Sequence, residues 1–198
     1  MYKEGAAVEA KRLLLVVDYQ NDFVNGSLGF PGAEALEGPI AEKIAEYRAS
    51  GDEVAFTLDT HGPSYLETLE GRNLPVEHCL TGTEGARLFG KVAVLQDEGD
   101  QVFTKPSFGS LSLLEYLQGR QLEAAKHGTL PFSSIELVGL VSNICVLANA
   151  VIAKTAVPEV PVIVDASATA SFDEALHEKA LDVMEGIHIQ VINRIHAD

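Results

Sequence analysis

Cys145 closes the stretch Glu136-Leu137-Val138-Gly139-Leu140-Val141-Ser142-Asn143-Ile144, which reads as a buried apolar strand running into turn-forming residues. Alanine-rich, helix-compatible sequence follows from Val146 to Lys154, so Cys145 falls in the first turn of a helix. Unpaired N–H groups and the positive dipole end there favour a thiolate, the nucleophilic form of cysteine. A buried structural cysteine is the competing explanation, because free Cys is among the most buried residue types. Asp18 directly follows the apolar run 13–17, at the place where α/β sheets present residues to ligands. Asp22 competes with it, but Asp18 abuts the strand; a loop or cap role is the alternative. Lys105 ends the run 101–104 before Pro106, where it would partner both Asp18 and a thiolate, or else lay its stem along an apolar rim.

A second set of residues has metal chemistry. Asp59-Thr60-His61 follows the strand-like run 54–58, and His78 lies further on. One carboxylate and two imidazoles suit zinc, manganese or iron, and Glu67 or Glu70 would add an oxygen ligand or hold a metal-bound water. Surface histidines and a solvated acidic turn are the alternative at this long spacing.

The elements that must position these residues alternate in type. Strands are expected at 13–17, 54–58, 101–104, 135–138, 160–164 (ending at Asp165) and 187–192, with a short run at 92–95 read as an edge strand or an excursion. Helices are expected from Ala33 to Ser50, from Ser112 with a break at Gly119, from Val146, and from Ser171 to Gly186. Ser112 with Glu115, and Ser171 with Glu174, fit capping boxes. This alternation predicts a three-layer α/β/α sandwich with a mainly parallel, Rossmann-like sheet, in one domain over 1–198. Parallel strands place Asp18, Lys105 and Cys145 on one sheet edge. The turn after the first strand lacks G-x-G-x-x-G, so no nucleotide cofactor is expected.

Composition narrows the partners. Asp plus Glu number 29 against 14 for Lys plus Arg, a net charge of −15 that argues against nucleic acid and anionic lipid. No apolar run approaches the roughly 20 residues of a membrane span. Two cysteines and a polar start, Met1-Tyr2-Lys3-Glu4-Gly5, predict a reduced, cytoplasmic protein. A homo-oligomer is expected. His177, His188 and His196 have no partner pattern and are expected at the surface.

Taken in order, Leu15-Val16-Val17-Asp18-Tyr19-Gln20-Asn21-Asp22-Phe23, Asp59-Thr60-His61, Leu74-Pro75-Val76-Glu77-His78-Cys79, Gly82-Thr83-Glu84-Gly85, Thr104-Lys105-Pro106-Ser107-Phe108 and Gly139 to Val146 make the chain resemble the isochorismatase-like cysteine hydrolases, and among them the nicotinamidases. The resemblance spans nearly the whole chain. It implies a catalytic triad of Asp18, Lys105 and Cys145, and a divalent metal, zinc first, on Asp59, His61 and His78 with Glu70 preferred to Glu67 as support. It also implies a cis peptide at Val141–Ser142, with the Ser142 and Cys145 N–H groups as oxyanion hole, and a pocket formed by Phe23, Tyr65, Phe108 and Val141. The implied reaction hydrolyses a small amide through a cysteine thioester, nicotinamide giving nicotinate and ammonia. Two departures stand out. Thr60 replaces the aromatic residue usual between the metal-binding Asp and His, and 62–70 lacks the usual His-x-Ser-Phe run. Relatives that cleave a vinyl ether do not use the cysteine, so Cys145 argues against that reaction. Ureido or carbamoyl hydrolysis, and a non-enzymatic thiol sensor or binding module, are the other readings; the last leaves Asp18 and Lys105 unexplained.

Overall fold

The structure is a computed structural model that describes residues 10–195. Strands β1 (Arg12–Val17), β2 (Glu53–Asp59), β3 (Gln101–Lys105), β4 (Ser134–Leu140), β5 (Val162–Ala170) and β6 (Gln190–Ile192) form one sheet in the order β3-β2-β1-β4-β5-β6. Every pairing is parallel. The helices are α1 (Asn21–Val24), α2 (Glu37–Ala49), α3 (Leu69–Asn73), α4 (Gly90–Leu95), α5 (Leu111–Lys126), α6 (Leu147–Ala156) and α7 (Glu174–Gly186). Alternate β1 residues feed two cores. Leu13, Leu15 and Val17 pack with α5, α6 and α7, while Leu14 and Val16 pack with Ile40, Ile44 and Tyr47 of α2. Both faces of the sheet are thus covered, which is why the strands read as continuous apolar runs.

Strand order reverses direction between β1 and β4, and open α/β sheets bind ligands in the crevice at the strand carboxyl ends beside such a reversal. Asp18 follows β1 and Cys145 follows β4, so they flank it; Asp59 and Lys105 are register partners at the ends of β2 and β3. Gly139 lets the two central strands meet. Its φ is +106°, and a Cβ there would lie 2.1 Å from the Val17 carbonyl oxygen.

Several local expectations are corrected. Residues 92–95 belong to helix α4, with Val92 buried against the α2 side of the sheet. Helix α5 runs unbroken through Gly119, whose added Cβ would meet nothing, and its cap is Ser110, which accepts from the Leu113 N–H. Asp173 caps α7 by accepting from Leu176 N–H, while Ser171 Oγ accepts from Asp173 N–H. β5 continues past Asp165 to Ala170, because the Asp165 carboxylate is satisfied internally by Ser167, Asn193 and Lys43 across a register shift. The cis peptide lies one residue earlier than expected, at Leu140–Val141.

Gly139→Ala forces both a left-handed backbone and a backbone clash. It should destabilise the fold by about 1–3 kcal/mol or more, read as a fall in the denaturant midpoint.

Candidate active site

The strand ends converge on one buried ammonium. Lys105 Nζ lies 2.6 Å from Asp18 Oδ2, 3.4 Å from Asp59 Oδ1 and 3.5 Å from Cys145 Sγ, and Lys105 is 1% exposed. Thr57 Oγ1 donates to Asp18 Oδ1 at 2.6 Å, and Oδ2 takes the charge-assisted contact with Lys105. Asp18 sits at φ +45°, a left-handed conformation that a short polar residue tolerates and that recurs at functional sites. Asp22, its competitor, has a bracing role: its Oδ2 accepts from the Cys79 N–H at 2.7 Å.

The electrostatics differ from the expectation at Cys145. Burial pushes its thiol well up, and the Asp18 charge pushes it further, outweighing Lys105. Burial and the Asp18 charge thus work against the thiolate that the helix start favours, with Lys105 working for it. Burial raises Asp18 above the usual carboxylate range, against the pull of Lys105. Burial would lower Lys105, but the charges of Asp18 and Asp59 raise it, so the ammonium stays charged.

Cys145 belongs to a π-helical turn, Ser142–Val146, that opens α6. The Val141 carbonyl accepts from the Ile144 and Val146 N–H groups at 3.1 and 3.2 Å, passing over the Cys145 amide between them. Turns of this kind recur at functional sites. Ser142 is fully buried and turned away from the cavity; its Oγ meets His177 Nδ1 at 2.8 Å. His177 is thus half-buried against the nucleophile turn, and burial lowers its pKa. This corrects its expected surface position. His188 is exposed, and His196 lies outside the described residues.

The metal-type residues form a second, contiguous cluster. His61 Nε2 and His78 Nε2 lie 2.8 and 3.3 Å from Asp59 Oδ2, and the donor atoms of Asp59, His61 and His78 all lie within 4.8 Å of one another. His78 Nδ1 meets the Val76 carbonyl at 2.8 Å, so Nδ1 carries the proton and Nε2 faces the cluster. Burial would raise Asp59, but its contacts with the His61 and His78 imidazoles and the Lys105 charge outweigh burial and lower it. Burial would lower His78, but Asp59 and the Val76 carbonyl raise it. Two buried carboxyl groups, Asp18 and Asp59, face the Lys105 ammonium, and the two imidazoles share Asp59 with it. The donor chemistry fits a divalent cation. Glu70 Oε1 stands 3.9 Å from both imidazole Nε2 atoms, whereas Glu67 is exposed.

A cavity of about 960 Å³ lies over both clusters, with Cys145, Asp59, His61 and His78 among its walls. Phe23, Tyr65, Phe108 and Val141 line it; Ile144 and Phe172 also do, and neither was expected from sequence. Other partners were unforeseen too. Gln20 is fully buried and clamps the Asp59 backbone: Oε1 accepts from Asp59 N–H at 2.8 Å, and Nε2 donates to the Asp59 and Ala86 carbonyls at 2.9 and 2.8 Å. Asn149 donates to the Phe108 and Cys145 carbonyls and accepts from Ser110 N–H. The available signals were a lone threonine in the apolar run 54–58 and a lone asparagine in an alanine-rich helix.

The isochorismatase domain family matches residues 12–195. An uncharacterized isochorismatase family protein PncA of Bacillus subtilis is 32% identical over 177 residues, covering 86% of this chain and 92% of the relative. The crystal structure of nicotinamidase/pyrazinamidase PncA from Bacillus subtilis superposes with a TM-score of 0.74 at 30% identity, covering 91% of this chain and 98% of that one. The pyrazinamidase of Pyrococcus horikoshii in complex with zinc shares the fold, with a TM-score of 0.76 at 22% identity over 93% and 99% of the two chains.

Gln20→Met should remove the clamp on Asp59 and lower divalent-ion affinity about 10–100-fold, measured by competition with a chromophoric chelator. A loss of melting temperature with unchanged affinity would reduce Gln20 to a packing role.

Proposed function

This chain belongs to the isochorismatase family and is a hydrolase of amide C–N bonds; within that class, we propose that it is a nicotinamidase. The observation that carries the reading is the contact of one buried ammonium with both a carboxylate and a thiol, Lys105 with Asp18 and Cys145. The 30% identical nicotinamidase/pyrazinamidase structure supports the substrate class.

In the proposed reaction the Asp18 carboxylate, held by Thr57 on Oδ1 and by Lys105 on Oδ2, accepts the Cys145 proton. Lys105 keeps that carboxylate in place and offsets the charge of the emerging thiolate. Sγ attacks the amide carbonyl carbon. The Cys145 N–H and, in place of Ser142, the Val141 N–H serve as oxyanion donors, since Val141 and Cys145 line the cavity and Ser142 does not. Asp18 hands the proton to the leaving nitrogen, and ammonia departs from a cysteine thioester. Water deprotonated by Asp18 then attacks the thioester, releasing nicotinate and restoring the thiol.

Asp59, His61 and His78 would hold a divalent ion, zinc first with manganese and iron as alternatives, supported by Glu70. Bound there, the ion supplies a Lewis-acidic contact for a ring nitrogen of the substrate. Phe23, Tyr65 and Phe108 flank the ring. Hydrolysis of a ureido or carbamoyl compound is the second reading, kept open by Thr60, which stands where the family usually has an aromatic residue.

Cys145→Ala should abolish ammonia release while leaving the melting temperature near that of the native protein. Asp18→Asn should cost a comparable factor, and the double variant should lose little more, since the residues act as one unit. Amidase activity surviving in Cys145→Ala would remove the nucleophile from the scheme.

Nicotinamide should be hydrolysed far faster than benzamide, which lacks the ring nitrogen, by as much as about 10⁴-fold in kcat/KM. His61→Ala should shrink that ratio. Equal rates on the native enzyme would transfer the assignment to ureido or carbamoyl substrates.

A further inference from the structure

The cavity is far wider than a single pyridine ring requires. Its volume of about 960 Å³ is that of a drug-sized ligand site, for which pockets run from about 300 to 1,000 Å³. Thr60, Gly62 and Ser64 line part of its wall with small side chains. Gly62 is exposed, an added Cβ there would meet nothing within 4 Å and it carries no positive φ, so a larger side chain fits at that rim without backbone strain.

The two ends of the cavity differ in chemistry. The inner end holds Cys145, Asp59, His61 and His78, all buried. The outer end is uncovered and carries three large exposed apolar side chains, Leu69 at 70%, Phe172 at 63% and Phe108 at 46%, with exposed Ser27, Ser64, Thr68 and Asn73 between them. Phe172 stands edge-on to Phe30, ring centroids 6.4 Å apart, so the outer wall is a braced aromatic face. An uncovered apolar face continuous with a polar reaction centre is the surface expected where a ligand extends outward from the reacting group.

We propose that this site takes aromatic primary carboxamides bearing an apolar ring substituent, with the carboxamide at Cys145 and the substituent against Phe108, Phe172 and Leu69. The proposal rests on the amidohydrolase reading above and specifies its substrate class. The reaction is unchanged: R–CO–NH₂ and water give R–COOH and ammonia, the C–N bond breaking as the C–O bond forms, with Asp18 relaying the proton. Only the group R is larger. Covering the outer wall acts through apolar burial, which is worth on the order of tenfold in kcat/KM for even a small added group.

The test compares nicotinamide with 5-phenylnicotinamide and 6-phenylnicotinamide, by kcat/KM on the native enzyme and by calorimetric binding of the intact amides to Cys145→Ala. At least one phenyl amide should exceed nicotinamide by about tenfold or more in both measurements. Phe172→Ala and Gly62→Leu, the first removing the wall and the second filling the space, should each bring that ratio towards one. Turnover of nicotinamide with no phenyl advantage, or an advantage untouched by both variants, would overturn the proposal and leave the nicotinamidase reading standing. Tighter binding of a phenyl amide with no ammonia released from any amide would uphold the substituent site and reject the amidase reading. No binding of any amide would reject both.

Discussion

The site depends on where one ammonium is buried. Lys105 is 1% exposed, and an unpaired ammonium in such a place costs several kcal/mol. Asp18 and Asp59 supply the compensation from the ends of β1 and β2, so the sheet register that pairs Asp59 with Lys105 is also an electrostatic requirement. Losing either carboxylate would leave a buried charge short of its partners, at a typical cost of about 3–5 kcal/mol. The same ammonium reaches the thiol at 3.5 Å. Nucleophile, proton acceptor and the cation-binding cluster are therefore held by a single balance of charge, with Asp59 shared between Lys105 on one oxygen and the two imidazoles on the other.

Topology explains why these residues, far apart in sequence, meet. The strand order is that of dinucleotide-binding sheets, and the crevice at the reversal is the natural ligand position. Here the turn after β1 carries a carboxylate in a left-handed conformation, and the turn after β4 carries a cysteine in a π-helical turn. Gly139 makes this possible by removing the side chain that would separate β4 from β1.

Much of this was legible before any coordinates. Strands buried on both faces produce apolar runs, and each run advertises its end by the first polar residue, so Asp18, Asp59 and Lys105 stand out. The turn before Cys145 was visible for the same reason. What escaped depends on three-dimensional neighbours. Thr57, Gln20 and His177 matter because of Asp18, the Asp59 backbone and Ser142, which lie 39, 39 and 35 residues away. Phe172 follows an extension of β5 beyond Asp165, where the strand was expected to end. Short apolar stretches such as 92–95 carry no periodicity that separates helix from strand, and a helix-terminus argument ignores the upward push of burial on the Cys145 thiol.

Asn149 makes the two sides of the cavity mechanically unequal. Its side chain joins the Phe108 carbonyl, the Ser110 amide and the Cys145 carbonyl, so the aromatic side wall and the nucleophile travel as one body. The facing wall, residues 62–74, is braced mainly within itself, through Tyr65 Oη to the Leu74 carbonyl and Thr68 to the Gly71 amide.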